Sequence, residues 1–112
     1  MLDPFILDRE AILERLGGDE EIFTMMVGMF LDDVDNNCSA LAAALAAQDS
    51  PLLQREAHTL KGLLSTFSDD AGAELALVLE QRAKLQQLED ADARVRQLIT
   101  RIEEVAATLR AL

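Results

Sequence analysis

A chain of 112 residues, half of them apolar but with no Trp or Tyr, has the material for a single core and is expected to form one domain over residues 1–112. Its 21 acidic against 10 basic residues give a net charge of −11, which argues against nucleic acid or an anionic membrane surface as a partner. One cysteine makes no intramolecular disulfide, and neither a signal-peptide core nor an apolar run near the roughly 20 residues of a membrane span is present, so a cytoplasmic location is expected.

Ala and Leu dominate, and with only two Pro and five Gly the balance favours helix throughout. In chain order, Ile6, Leu7, Ile12, Leu13 and Leu16 predict a short amphipathic helix over Phe5 to Leu16, stopped by Gly17-Gly18 and covering one end of the core. Asp19 stands where an N-cap belongs, with Glu20 and Glu21 complementing the dipole of the next helix. From Glu20 to about Ala47, the series Ile22, Met26, Phe30, Val34, Cys38, Leu41 and Leu45 keeps one apolar stripe. Gln48-Asp49-Ser50-Pro51 breaks it, and Ser50 followed by Pro51 reads as N-cap then N1 of a third helix, Leu52 to about Phe67.

Ser68-Asp69-Asp70 is a polar turn. Ala73, Leu75, Ala76, Val78, Leu79 and Ala83 then carry a fourth helix toward Leu85, and a loop near Leu88 to Asp92 leads to a fifth on Val95, Leu98, Ile102, Val105, Leu109 and Leu112. The expected fold is all-α, an up-down antiparallel four-helix bundle with a short extra N-terminal helix capping one end. Met25, Met26 and Met29 are expected in its core and Cys38 as a small buried hydrophobe. Asp32-Asp33 reads as a solvated face, and a lone histidine without grouped ligands predicts no metal site.

The third helix carries the only histidine, His58. Its buried stripe is Leu53, Ala57, Leu60, Leu64 and Phe67, far round the helix from His58, which therefore points outward. Lys61 and Gly62, three and four residues on, share its face as a cation and a bare backbone. Gln54, Arg55 and Ser65 complete a clearing without bulky apolar groups. With Asp69 as the midpoint of the hairpin, His58 lies eleven residues before it and Glu80 eleven after, so the two are level.

The run Ala57-His58-Thr59-Leu60-Lys61-Gly62, followed by Phe67 and by Leu79-Glu80, resembles the signature of the histidine-containing phosphotransfer (HPt) domain of bacterial multistep phosphorelays. The resemblance implies that His58 accepts a phosphoryl group from an aspartyl phosphate on one response-regulator receiver domain and passes it to an aspartate on another. It implies that Glu80 binds the imidazole Nδ1–H and leaves Nε2 as nucleophile, that Lys61 compensates phosphoryl charge, and that Gly62 clears the approach. Lys84 and Arg55 would add positive charge at the rim. Mg²⁺ is expected on the receiver, with no cofactor in this chain, and a hybrid sensor histidine kinase upstream, of which these residues are either a separate partner or the C-terminal cytoplasmic module. The chain is expected to act as a monomer and to have no ATP-dependent kinase activity of its own.

Some positions depart from the family pattern. Leu63 and Leu64 stand where small residues are common, Ser68 where a Gly is common, and Gly72 where an apolar core residue is usual, so the start of the fourth helix is expected to fray. Leu63, at the edge of the stripe, is placed with Gln54, Arg55, Ser65 and Lys84 among the partner-contacting residues. Two rival readings are a helical adaptor that uses no phosphate and a dimerising histidine-kinase bundle; the second asks for an acidic residue after the histidine, where this chain has Thr59.

Overall fold

The computed structural model describes residues 2–112, and their secondary structure is five helices: α1 (Arg9–Arg15), α2 (Glu20–Ala46), α3 (Ser50–Thr66), α4 (Asp70–Lys84) and α5 (Ala91–Arg110). Helices α2 to α5 form the expected four-helix bundle, 42 × 26 × 22 Å with α1 included. Within it α3 and α4 form a tight hairpin, in which α4 buries Gly72, Ala76, Leu79 and Ala83 and α3 buries Leu53, Ala57, Leu60 and Leu64.

The joints use one repeated device. At the ends of α1 to α4 a residue takes the left-handed conformation: Gly17, Gln48, Ser68 and Gln86, at φ 70°, 50°, 61° and 58°. The backbone then closes back on the helix, as when Asp69 N–H reaches Leu64 O at 2.9 Å and Ser68 N–H reaches Ser65 O at 3.0 Å, the pairing of a Schellman motif. Ser68 adopts this conformation without being glycine, and its hydroxyl accepts from Arg15 Nη2 at 2.8 Å, so α1 clasps the end of α3. Each following helix up to α4 starts on an aspartate. Asp19, Asp49 and Asp69 accept the N–H of Ile22, Leu52 and Gly72, as Asp8 does that of Ala11 in α1.

Several boundaries differ from the sequence reading. Asp49, not Ser50, caps α3; Ser50 and Pro51 lie inside its first turn, where a missing proline N–H leaves no helical bond unmade. α1 starts at Arg9 because Asp8 captures its first turn, while upstream the Phe5 N–H donates to Glu104 Oε2 at 2.7 Å. Phe5 is consequently buried and Ile6 is 83% exposed. In α2 the buried face runs through Phe23, Val27, Phe30 and Val34, one residue and about 100° away from Ile22 and Met26 in its first turns. Met25 and Met29 are therefore outside the core, 61% and 60% exposed, and Met26 and Cys38 are only half-buried. Leu112 lies beyond α5 and is exposed.

Gly72 is also not a weak point. Asp69, 2% exposed, binds Arg101 of α5 in a two-pronged ion pair, Nη2 to Oδ1 at 2.7 Å and Nε to Oδ2 at 3.0 Å. A Cβ on Gly72 would collide with Asp69 Oδ2 and stand 2.8 Å from its Cγ and 3.1 Å from Arg101 Cγ. The absent side chain makes room for the ion pair, and the helix start is capped through it.

Candidate functional site

His58 projects from the middle of α3 with its side chain 65% exposed. Thr59 and Gly62 beside it are exposed, while Ala57 and Leu60 point into the core. The hairpin brings α4 level with it, and Glu80 Oε2 lies 2.8 Å from His58 Nδ1. A carboxylate accepts only, so the proton of this bond sits on Nδ1 and the other ring nitrogen, Nε2, keeps its lone pair.

Glu80 is held from a second side. Its Oε1 accepts from Lys61 Nζ at 2.8 Å, a pairing that the sequence reading did not include. Partial burial would raise the Glu80 carboxyl, but the hydrogen bonds and charges of Lys61 and His58 outweigh it and hold the group below the usual range. Glu80 is thus a fixed anion, 16% exposed in its side chain.

Of the residues expected around the histidine, Gln54 and Arg55 line one shallow depression with His58, Glu80 and Pro51. Gly62 leaves open space where a Cβ would stand, and Ser65 is exposed. Lys84 is exposed at the end of α4 and is not part of the depression; Leu63 faces α2 instead and lines a separate groove with Met29 and Phe67. No group of three or more His, Cys, Asp or Glu able to hold a metal occurs among the described residues.

An exposed imidazole with a carboxylate on Nδ1, held across a helical hairpin, can use Nε2 as a nucleophile. A family model of the Hpt domain matches residues 25–108. The chain belongs to the Hpt domain family. Membership places it among the histidine phosphotransfer domains of two-component phosphorelays. The Hpt fold here is similar to that of histidine-containing phosphotransfer protein B of Pseudomonas aeruginosa PAO1, with a TM-score of 0.84 and 25% identity, covering 94% of this chain and 91% of that one. It is also similar to the Hpt domain of a sensor hybrid histidine kinase from Shewanella, with a TM-score of 0.81 and 19% identity, again over 94% and 91% of the two chains. No curated protein sequence matches the chain. Among the described residues, no helix is long and apolar enough to cross a membrane.

Proposed function

We propose that His58 is the phosphoacceptor, taking a phosphoryl group from the aspartyl phosphate of one receiver domain and handing it to the aspartate of another. The observation that carries this reading is the 2.8 Å contact between Glu80 and His58 Nδ1 behind an exposed ring. The Nε2 lone pair attacks phosphorus, an Nε2–P bond forms, and the P–O bond to the receiver aspartate breaks, releasing its carboxylate. No proton need leave, since Nδ1 keeps its own. The ring gains positive charge as the bond forms, and the Glu80 carboxylate faces that charge at hydrogen-bond distance.

Such an in-line transfer depends on positioning and charge compensation. Lys61 Nζ lies 2.8 Å from Glu80 Oε1, and in this reading its ammonium serves the carboxylate at rest and the phosphoryl oxygens during transfer. Gly62 keeps side-chain atoms from the approach, and Arg55 extends the positive rim toward a receiver. Mg²⁺ belongs to the acidic receiver site in this reading, and upstream phosphate comes from a hybrid sensor kinase. Receiver domains charged with acetyl phosphate test the reading: the chain should acquire label that is acid-labile and base-stable, and should pass it to a second, uncharged receiver. A chain that takes no label from any receiver is not a relay.

A further inference from the structure

At rest the ammonium of Lys61 is taken up by Glu80, and Lys61 does not line the depression that opens beside the ring. That depression, of about 370 Å³, is walled by Pro51, Gln54 and Arg55 of α3 together with His58 and Glu80. Helical side chains lean toward the N-terminal end of their helix, so the His58 ring leans over the turn that carries Gln54 and Arg55. Arg55, three residues before His58 and exposed, has a side chain with no ion pair or hydrogen bond among the described residues. Every other basic residue except Lys84 and Arg110 is in an ion pair or, in Arg15, bound to the end of α3. An uncommitted cation therefore stands in the one depression that His58 lines.

We infer that Arg55 holds the phosphoryl group of phosphorylated His58 in this depression between transfers, and so sets the lifetime of the phosphorylated state. The inference rests on the relay reading above and adds to it the residue that keeps the intermediate intact. With Nδ1 bonded to Glu80, the phosphoryl group is attached at Nε2. Arginine presents its N–H donors in a planar fork that matches two phosphoryl oxygens at once. Glu80 does not compete for that fork, since its oxygens already accept from His58 and Lys61. In hydrolysis water attacks phosphorus, the Nε2–P bond breaks, its electron pair returns to Nε2 and inorganic phosphate leaves. Through a loose transition state the phosphoryl oxygens give up negative charge as that bond lengthens. A cation bound to them therefore favours the intact phosphohistidine and slows its decay.

The test uses the full chain and no receiver. Phosphoramidate, a small donor whose P–N bond breaks to release ammonia, labels His58 directly, and the decay of the label is followed at neutral pH once the donor is removed. Arg55→Gln should shorten the half-life about threefold to fivefold, the scale of a solvent-exposed ion pair. Arg55→Lys, which keeps the charge and loses the fork, should shorten it less. Arg110→Gln removes an equally uncommitted cation outside the depression and should leave the half-life unchanged. Arg55 and Arg110 are both exposed, so these variants keep the fold. Equal half-lives in wild type and Arg55→Gln, an equal shortening in Arg110→Gln, or a wild type that takes no label overturns the inference. Wild-type protein that is labelled by phosphoramidate and by no phosphorylated receiver overturns the relay reading instead, while the half-lives still decide the role of Arg55.

Discussion

Lys61 and Glu80 are joined by a 2.8 Å ion pair across the α3–α4 hairpin, so the ammonium nearest His58 is already in the grip of the carboxylate that holds the imidazole. Lys61→Ala therefore removes two things at once, charge beside the arriving phosphoryl group and the second anchor of Glu80. Transfer from a phosphorylated receiver should slow by about tenfold to a hundredfold without vanishing, because the attacking nitrogen is untouched. Rapid-quench measurement giving the wild-type rate would remove Lys61 from the mechanism.

The pH dependence of stability follows from the same anchor. The folded protein holds Glu80 below its ordinary value, so the unfolded chain takes up that proton at higher pH than the native one. The stabilisation is complete above about pH 4.3, the ordinary glutamate value, and is lost as pH falls through the lower native value. Urea unfolding of wild type and Glu80→Gln should show a stability gap at neutral pH that narrows below about pH 4. A gap that stays constant on acidification would mean that the ion pair contributes nothing.

Two helix glycines should respond in opposite directions to the same substitution. Gly62 has open space where a Cβ would go, so Gly62→Ala should stabilise the fold by about 1 kcal/mol from helix propensity, raising Tm by roughly 5 °C. It should also slow transfer, by putting a methyl group on the approach to His58. Gly72→Ala meets Asp69 instead and should destabilise by about 2 kcal/mol or more despite the same propensity gain. Thermal melts of the two variants check the pair, and equal shifts in Tm would contradict it.

Arg101→Met strands the Asp69 carboxylate, which is 2% exposed, without its partner. Breaking a buried pair from one side costs about 3–5 kcal/mol, and here it also releases the bond from Arg101 Nη1 to Asp3 O at 2.7 Å. Denaturant unfolding should show a loss of that order. A change under about 1 kcal/mol would mean the pair is no stronger than a surface bridge.

Long periodic helices were legible in the sequence because their spacing repeats over many turns, and α2 to α5 lie within a few residues of where the pattern put them. The start of α1 was not, because what holds Phe5 is Glu104, 99 positions away. In α2 an apolar count cannot choose between Phe23 and Ile22, nor see that Met25 and Met29 add apolar residues on the outer side. Ser68 in a left-handed turn and the vacancy at Gly72 are likewise invisible until Arg15 and Arg101 arrive from other helices. At the site, counting eleven residues either way from Asp69 put Glu80 level with His58. What the count missed is that Lys61 also pairs with Glu80, because a lysine side chain reaches across helical levels that backbone counting treats as separate.

The central claim is that His58 alone receives the phosphoryl group. It is tested most directly by incubating wild type and His58→Gln with receivers carrying labelled phosphate, with circular dichroism as a check on folding. The account predicts acid-labile, base-stable label on wild type and none on His58→Gln, at equal helicity. Label persisting on the variant, or wild type remaining unlabelled, would contradict it.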